Sequence, residues 1–231
     1  VENKHEWIRQ IALFQDLSNE DLSVIASAIR TKHVQKGTHI FYQHEQQAAV
    51  YFIKEGQVKI YRDDINGKEQ IVSLLHEGDM FPHVGFFHKI HYPANSIAIV
   101  PTTLMYIHLL DFENVLMQHP NIAIKLYGIM SKEILDLQDR LEEQMLSNVY
   151  IQVINLFLRL GRSHGKWVDD KYMLVSIPLS IRDLASMIGT TRETISRTIH
   201  QLKEKNIVIP QTKGKYLIDV FQLEKEKGQI E

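Results

Sequence analysis

The residues best equipped for chemistry lie close together in the last quarter of the chain. Arg192, Glu193, Ser196 and Arg197 share one face if their segment is helical, because residues three and four apart stack along the axis. A guanidinium offers two coplanar donors that match guanine O6 and N7. A carboxylate accepts from cytosine N4, and a hydroxyl serves either kind of base edge. Thr190 and Thr191 come just before, and hydroxyls and N–H groups at a helix N-terminus favour a phosphate. Such a set can read base edges in a DNA groove. The same residues also suit the solvated outer face of an ordinary helical hairpin, so periodicity alone leaves both readings open.

Two helices must position that face. Ile181–Ile188 predicts a short helix burying Leu184, Ala185 and Ile188. Gly189 supplies a turn residue without a Cβ penalty. The second helix starts at Thr190 or Thr191, either of which can cap it. Its apolar positions Ile195, Ile199 and Leu202 form one stripe, opposite the polar face. A short helix, a sharp turn and a second helix with polar residues near its start are the parts of a helix-turn-helix.

The run TTRETISRTIHQL resembles the recognition helix of the cyclic AMP receptor protein/fumarate-nitrate regulator (CRP/FNR) family of bacterial transcription factors. In that family an R-E-x-x-x-R pattern reads a TGTGA-type half-site, and here it stands as Arg192, Glu193 and Arg197. The sister pattern E-x-x-S-R of the FNR branch is present as Glu193, Ser196 and Arg197. Arg192 tilts the sequence towards the receptor-protein branch. The resemblance implies a palindromic DNA site and a regulator that is not an enzyme.

Composition bounds the rest. With 231 residues the chain is long enough for two modest domains, and 44% hydrophobic content can fill a core. No stretch approaches the ~18–20 apolar residues of a membrane span, and no secretion signal opens the chain, so the expectation is a cytoplasmic protein without a membrane partner. There are no cysteines, which excludes disulfides, thiolate zinc sites and cysteine-ligated iron–sulfur clusters. No cofactor is expected. The formal net charge of −2 by itself argues against nucleic acid, but the charge is unevenly spread. Residues 1–146 hold 13 Lys and Arg against 19 Asp and Glu, a net of −6, whereas residues 147–231 hold 13 against 9, a net of +4. The modest basic excess falls in the half that carries the helix-turn-helix.

In chain order, residues 5–30 read as helical, with a capping signal at Ser18. From about His33 the period becomes two, with strand-like runs at 38–42, 50–54, 57–62, 70–75, 95–100 and 104–108. Asn66-Gly67 between two of them is a hairpin signal. Many short strands imply a sandwich or roll, and KGTHIF, VYFIKEGQVKIY and EGDMF resemble the cyclic-nucleotide-binding β-roll of the same family. Helices follow at 111–118 and 121–146, divided by Pro120. In the longer one Tyr127, Met130, Ile134, Leu137 and Leu141 recur at 3-4-3-4, a narrow seam that suits a partner helix. One helix packed on its own β-roll would need no more than that. The family dimerises through this element, which implies a homodimer. Residues 147–160 predict a helix and 163–171 a loop or small hairpin. Ile207–Pro210 and Tyr216–Val220 predict a wing with Lys213 and Lys215 at its tip as phosphate contacts. Residues 224–231 read as a frayed polar tail. The fold class expected is α+β: a cyclic-nucleotide-binding-type β-roll (1–110), a long dimerisation helix (111–146) and a winged helix-turn-helix (147–231).

Nucleotide-binding relatives carry a glutamate in a G-E motif and an arginine in an R-[ST]-A motif. Here Pro82 and His83 fall at the glycine and glutamate, and Ala94 and Asn95, followed by Ser96, fall at the arginine and hydroxyl residue. Without an arginine a buried phosphate is heavily penalised, so cyclic AMP is not expected to bind. The segment leaves room for an unidentified small effector or a vestigial pocket. His83, His88 and His91 could in principle ligate a metal, but no acidic fourth ligand is spaced to complete the set. The competing function classes are a cupin-like metal enzyme, which needs a His-x-His and Glu motif not found here, and a small-molecule-binding module. For an activator, RNA polymerase would be a further partner besides double-stranded DNA.

Overall fold

The computed structural model of the chain describes residues 4–15, 17–63, 67, 69–88, 90–146, 148–212 and 214–229. The chain divides into two compact units, Val1–Leu135 and Asp136–Glu231.

The first unit opens with α1 (Lys4–Gln10) and α2 (Asn19–Ala28), then β1 (Arg30–Val34), β2 (His39–Phe41), β3 (Ala49–Glu55), β4 (Val58–Asp63), β5 (Glu69–Leu75), β6 (Met80–Phe81), β7 (Asn95–Ala98) and β8 (Thr102–His108). It closes with α3 (Leu109–Gln118) and α4 (Pro120–Leu146), the latter running on into the second unit. Two antiparallel four-stranded sheets form the roll, in orders β1-β8-β3-β6 and β2-β7-β4-β5. Strand β3 shows how the layers are specified. Val50 and Phe52 join a core with α1–α3 and the start of α4, while Ala49, Tyr51 and Ile53 point into the roll. Alternate side chains leave opposite faces, so a strand covered on both sides is apolar at consecutive positions.

Residues 5–30 hold two helices, the second starting at the Ser18 capping signal, and Arg30 already belongs to β1. Ile11, Leu13 and Phe14 are all buried in the turn between the helices. Positions two apart point to different sides of a helix, so a straight helix would leave part of this set in water. Ser18 restarts the helix by accepting from Asp21 N–H at 3.1 Å. The β4–β5 pairing extends to Asp63 opposite Glu69; the turn residue Asn66 lies outside the described residues. Helix α4 begins at Pro120 itself, the first helical position, where a missing N–H does no harm.

The second unit contains α5 (Val149–His164), the hairpin β9 (Gly165–Trp167) and β10 (Tyr172–Ser176), α6 (Ile181–Ile188), α7 (Arg192–Glu204), β11 (Val208–Pro210), β12 (Lys215–Asp219) and α8 (Val220–Gly228). The sheet order is β11-β12-β10-β9. The expected polar tail is instead mostly helix. Asp219 caps α8 by accepting from Gln222 N–H at 3.0 Å, and Leu223 is fully buried. Helix α5 runs four residues beyond the expected end at 160 because Leu160 and Gly161 are still buried. Among the described residues no helix is long and apolar enough to cross a membrane.

Candidate nucleic-acid interface

Helix α6 is fixed at both ends by its own sequence. Ser180 Oγ accepts from Asp183 N–H at 3.2 Å, and the Asp183 carboxylate accepts from Ser180 N–H at 2.8 Å. This reciprocal cap is an S-x-x-D pattern readable from the sequence. At the other end Gly189 sits at φ 72°, a left-handed conformation that a side chain would strain. Thr190 N–H donates back to Ala185 O at 3.0 Å, so Thr190 closes the turn. Thr191 caps α7, accepting from Thr194 N–H at 3.2 Å.

Leu184, Ala185, Ser186 and Ile188 of α6 and Ile195, Thr198, Ile199 and Leu202 of α7 are buried. Burial of that stripe turns Arg192, Glu193, Ser196 and Arg197 outward, and all four are exposed. Among the described residues none of their side chains has a hydrogen-bond or ion-pair partner in the chain. Two guanidiniums, one carboxylate and one hydroxyl thus stand free on the first turns of a helix held rigidly from behind. That arrangement can donate to guanine and accept from cytosine once a groove reaches it.

The wing is anchored close by. Ile177 N–H donates to Gly214 O at 2.7 Å. A Cβ on Gly214 would lie 2.2 Å from Ile177 O, and its φ is 76°, so only glycine fits between wing and strand exit. Phe157 packs edge-on against Tyr216 at 5.2 Å, and burial pushes the Tyr216 phenol up. Lys215 is exposed at the base of this turn. Lys213 lies outside the described residues.

The other residues singled out by sequence fall in the first unit and along α4. Tyr127, Ile134, Leu137 and Leu141 are 73%, 53%, 53% and 58% exposed in the single chain, while Met130 packs partly against the helical core. Ala94 is buried. Asn95 is also buried, accepting from Gln43 N–H at 2.9 Å and donating to Asp63 at 3.0 Å. Ser96 is completely buried, and its hydroxyl has no partner among the described residues. His83 is half-buried, whereas His88 and His91 are exposed. Among the described residues no group of three His, Asp or Glu side chains could hold a metal. The sequence reading missed how the roll is filled. Phe41 stacks on Tyr92 at 3.8 Å, and Tyr51 stacks on Phe81 at 5.4 Å. The Tyr92 hydroxyl accepts from Ala48 and Ala49 N–H at 3.1 and 3.4 Å, and burial pushes the Tyr51 phenol far up.

Fold and site define a class, the winged-helix regulators that carry a β-roll. The cyclic nucleotide-binding domain family matches residues 31–119, and the Crp-like helix-turn-helix domain family matches residues 152–226. The chain is 24% identical to the cyclic AMP receptor protein of Thermus thermophilus, over 85% of this chain and 87% of that protein. It is 25% identical to the fumarate and nitrate reduction regulatory protein of Yersinia pestis, over 91% of this chain and 83% of the relative. The structure of FixK2 from Bradyrhizobium japonicum has the same fold, with a TM-score of 0.74 at 21% identity, covering 85% of this chain and 96% of that one. The chain belongs to the CRP/FNR family of DNA-binding transcription regulators, which are not enzymes.

Proposed function

We propose that the chain works as a homodimer that reads a palindromic, TGTGA-like duplex and does so without cyclic AMP. The observation that carries the DNA side is the free, outward set Arg192, Glu193, Ser196 and Arg197 on a helix capped by Thr191 and packed along its opposite stripe. Arg192 and Arg197 each read a guanine, Glu193 accepts from a cytosine on the opposite strand, and Ser196 completes the contact surface. Thr190, Thr191, Lys213 and Lys215 hold phosphates. The segment 111–146 supplies the dimer contact, its exposed apolar seam matching what a parallel partner helix would cover. RNA polymerase is a further partner if the protein activates.

Independence from cyclic AMP is supported by side chains. A phosphate inside the roll needs a cation, and Ala94 offers none. The Tyr92 and Phe41 rings already occupy the interior, so a nucleotide would have to displace a buried aromatic stack. An unidentified small effector that entered the roll would have to rearrange that packing.

The test is selection of duplexes from a random pool by the purified chain, with and without cyclic AMP. The expected product is a palindrome with TGTGA-like arms, unchanged by the nucleotide, and calorimetry should detect no micromolar binding of cyclic AMP. Selection of asymmetric sites would overturn the reading of the helix, and nucleotide-dependent selection would overturn the reading of Ala94. Lys215→Ala is expected to weaken all duplexes about equally and to make the slope of log affinity against log salt shallower by about 1 per phosphate that the wing no longer neutralises. An unchanged slope would mean that the wing does not touch the backbone.

A further inference from the structure

Three helices of the second unit meet at a cluster far from the base-reading face. Tyr150 lies in the first turn of α5, just after the cap Asn148, whose side chain accepts from Ile151 N–H at 3.0 Å. Lys205 is the residue at which α7 ends. Glu226 is on α8, one turn beyond the buried Leu223. The Tyr150 hydroxyl donates to Glu226 Oε1 at 2.9 Å, and the Lys205 ammonium ion-pairs with the same oxygen. Lys205 Nζ also donates to the Tyr150 hydroxyl at 3.4 Å and lies 5.6 Å from the centre of its ring. Glu226 is 13% exposed and Lys205 51%, so the carboxylate end of the pair is shielded while the ammonium still meets water. The ammonium of Lys205 holds the Glu226 carboxyl below its usual range. Burial, helped by the bond to Glu226, pushes the Tyr150 phenol up.

The chain around Lys205 has little freedom of its own. Asn206 turns it at φ 57°. Ile207 N–H donates to Leu202 O and Asp219 N–H to Ile207 O, each at 2.9 Å. The cap at Thr191 fixes the start of α7, and this knot with its charged cluster fixes the end. Lys205 stands eight residues beyond Arg197, about 12 Å along the axis, so it cannot share a base pair with the readers. It can act on them only through the seating of the helix.

We propose that Tyr150, Lys205 and Glu226 form a positioning clamp, through which α8 sets the seating of α7 and hence the base specificity of Arg192, Glu193 and Arg197. The clamp deepens the reading of α7 as the base-reading helix and rests on it. A bidentate base contact tolerates errors of only about 0.5 Å and 10–20°, whereas phosphate contacts tolerate more. Loosening the clamp therefore lowers specific affinity and spares non-specific affinity.

The experiment uses the full chain, the duplex that it selects from a random pool, and a scrambled duplex of equal length. Lys205→Ala and Glu226→Ala should each reduce the ratio of specific to non-specific affinity about tenfold, and Tyr150→Phe about threefold, as expected for removing a charged or a neutral hydrogen bond. Affinity for scrambled DNA should stay within about twofold. The exchange Lys205→Glu with Glu226→Lys should restore most of the ratio, which a loss of tail packing would not allow. Thermal unfolding and the titrated active fraction are measured on each variant. A lowered melting temperature with an unchanged ratio overturns the proposal, because the cluster then only holds the tail. If the alanine variants do not fold, Tyr150→Phe, which removes a single oxygen, decides by the same ratio. Glu193→Ala is measured alongside. A changed base preference there with unchanged ratios in the clamp variants sinks the clamp alone, whereas an unchanged preference there sinks the base reading on which it rests.

Discussion

Leu137→Asp is expected to leave the chain folded and monomeric at micromolar concentration. Leu137 is 53% exposed in the single chain, so a carboxylate there stays in water as long as no partner covers it. Its protomer should therefore melt close to the wild-type protomer. In a dimer built on the α4 seam the same carboxylate would be buried without a partner. Removing a charge from water without compensation costs about 3–5 kcal/mol, and two-fold symmetry places two such groups in each dimer. At 1.4 kcal/mol per tenfold, even one of them weakens association by more than about 100-fold. Sedimentation equilibrium on the variant gives the readout, with DNA binding as the second: a monomer holds one half-site and loses most of its affinity for a palindrome. If the variant sediments as a dimer, the exposed stripe of Tyr127, Ile134, Leu137 and Leu141 is covered by something else, and dimerisation must be sought at another surface.

The parts of the molecule that could be read from the sequence are those whose signals are local. Gly189, the Thr191 cap and the Ile195–Ile199–Leu202 stripe follow one another along a short stretch, and the end of α6 and the start of α7 follow from them. The wing strands are equally local. What escaped is tertiary. Strand β1 buries only Val34 of its five residues, so alternation never announces it; its pairing with β8 makes it a strand. Helix α8 has a polar sequence whose only fully buried side chain is Leu223. Its Glu226 partner, Lys205, lies 21 residues earlier. The aromatic filling of the roll draws Phe41, Tyr51, Phe81 and Tyr92 from four separate segments, and no spacing rule links them. The resemblance sets Ala94 where nucleotide-binding relatives carry an arginine, but only the structure supplies what stands inside the roll.

Arg197→Ala and Glu193→Ala are expected to fail in different ways. Arg197 is exposed, without a partner among the described residues, and free to offer both donors to one guanine. A bidentate contact of that kind is worth about 1–3 kcal/mol, counted once on each arm of a symmetric site. Its removal should lower affinity for the palindrome by about 2–6 kcal/mol and change affinity for scrambled DNA by no more than one phosphate-like contact would. On the proposed reading Glu193 works through exclusion as well as attraction. A carboxylate in a groove lined by phosphates is repelled unless a cytosine amino group meets it, so a wrong base leaves an unpaired anion. Glu193→Ala relieves that repulsion. Discrimination at one symmetric base pair should drop by about 1–3 kcal/mol, while non-specific affinity stays level or rises. The half-sites should lie about 34 Å apart, one turn of the duplex, so the affected pair appears twice, at mirror positions. A binding matrix over all four base pairs at every half-site position separates the two outcomes. If Glu193→Ala leaves every preference intact while Arg197→Ala weakens all sequences alike, α7 grips the backbone and the base-edge reading of this face is wrong.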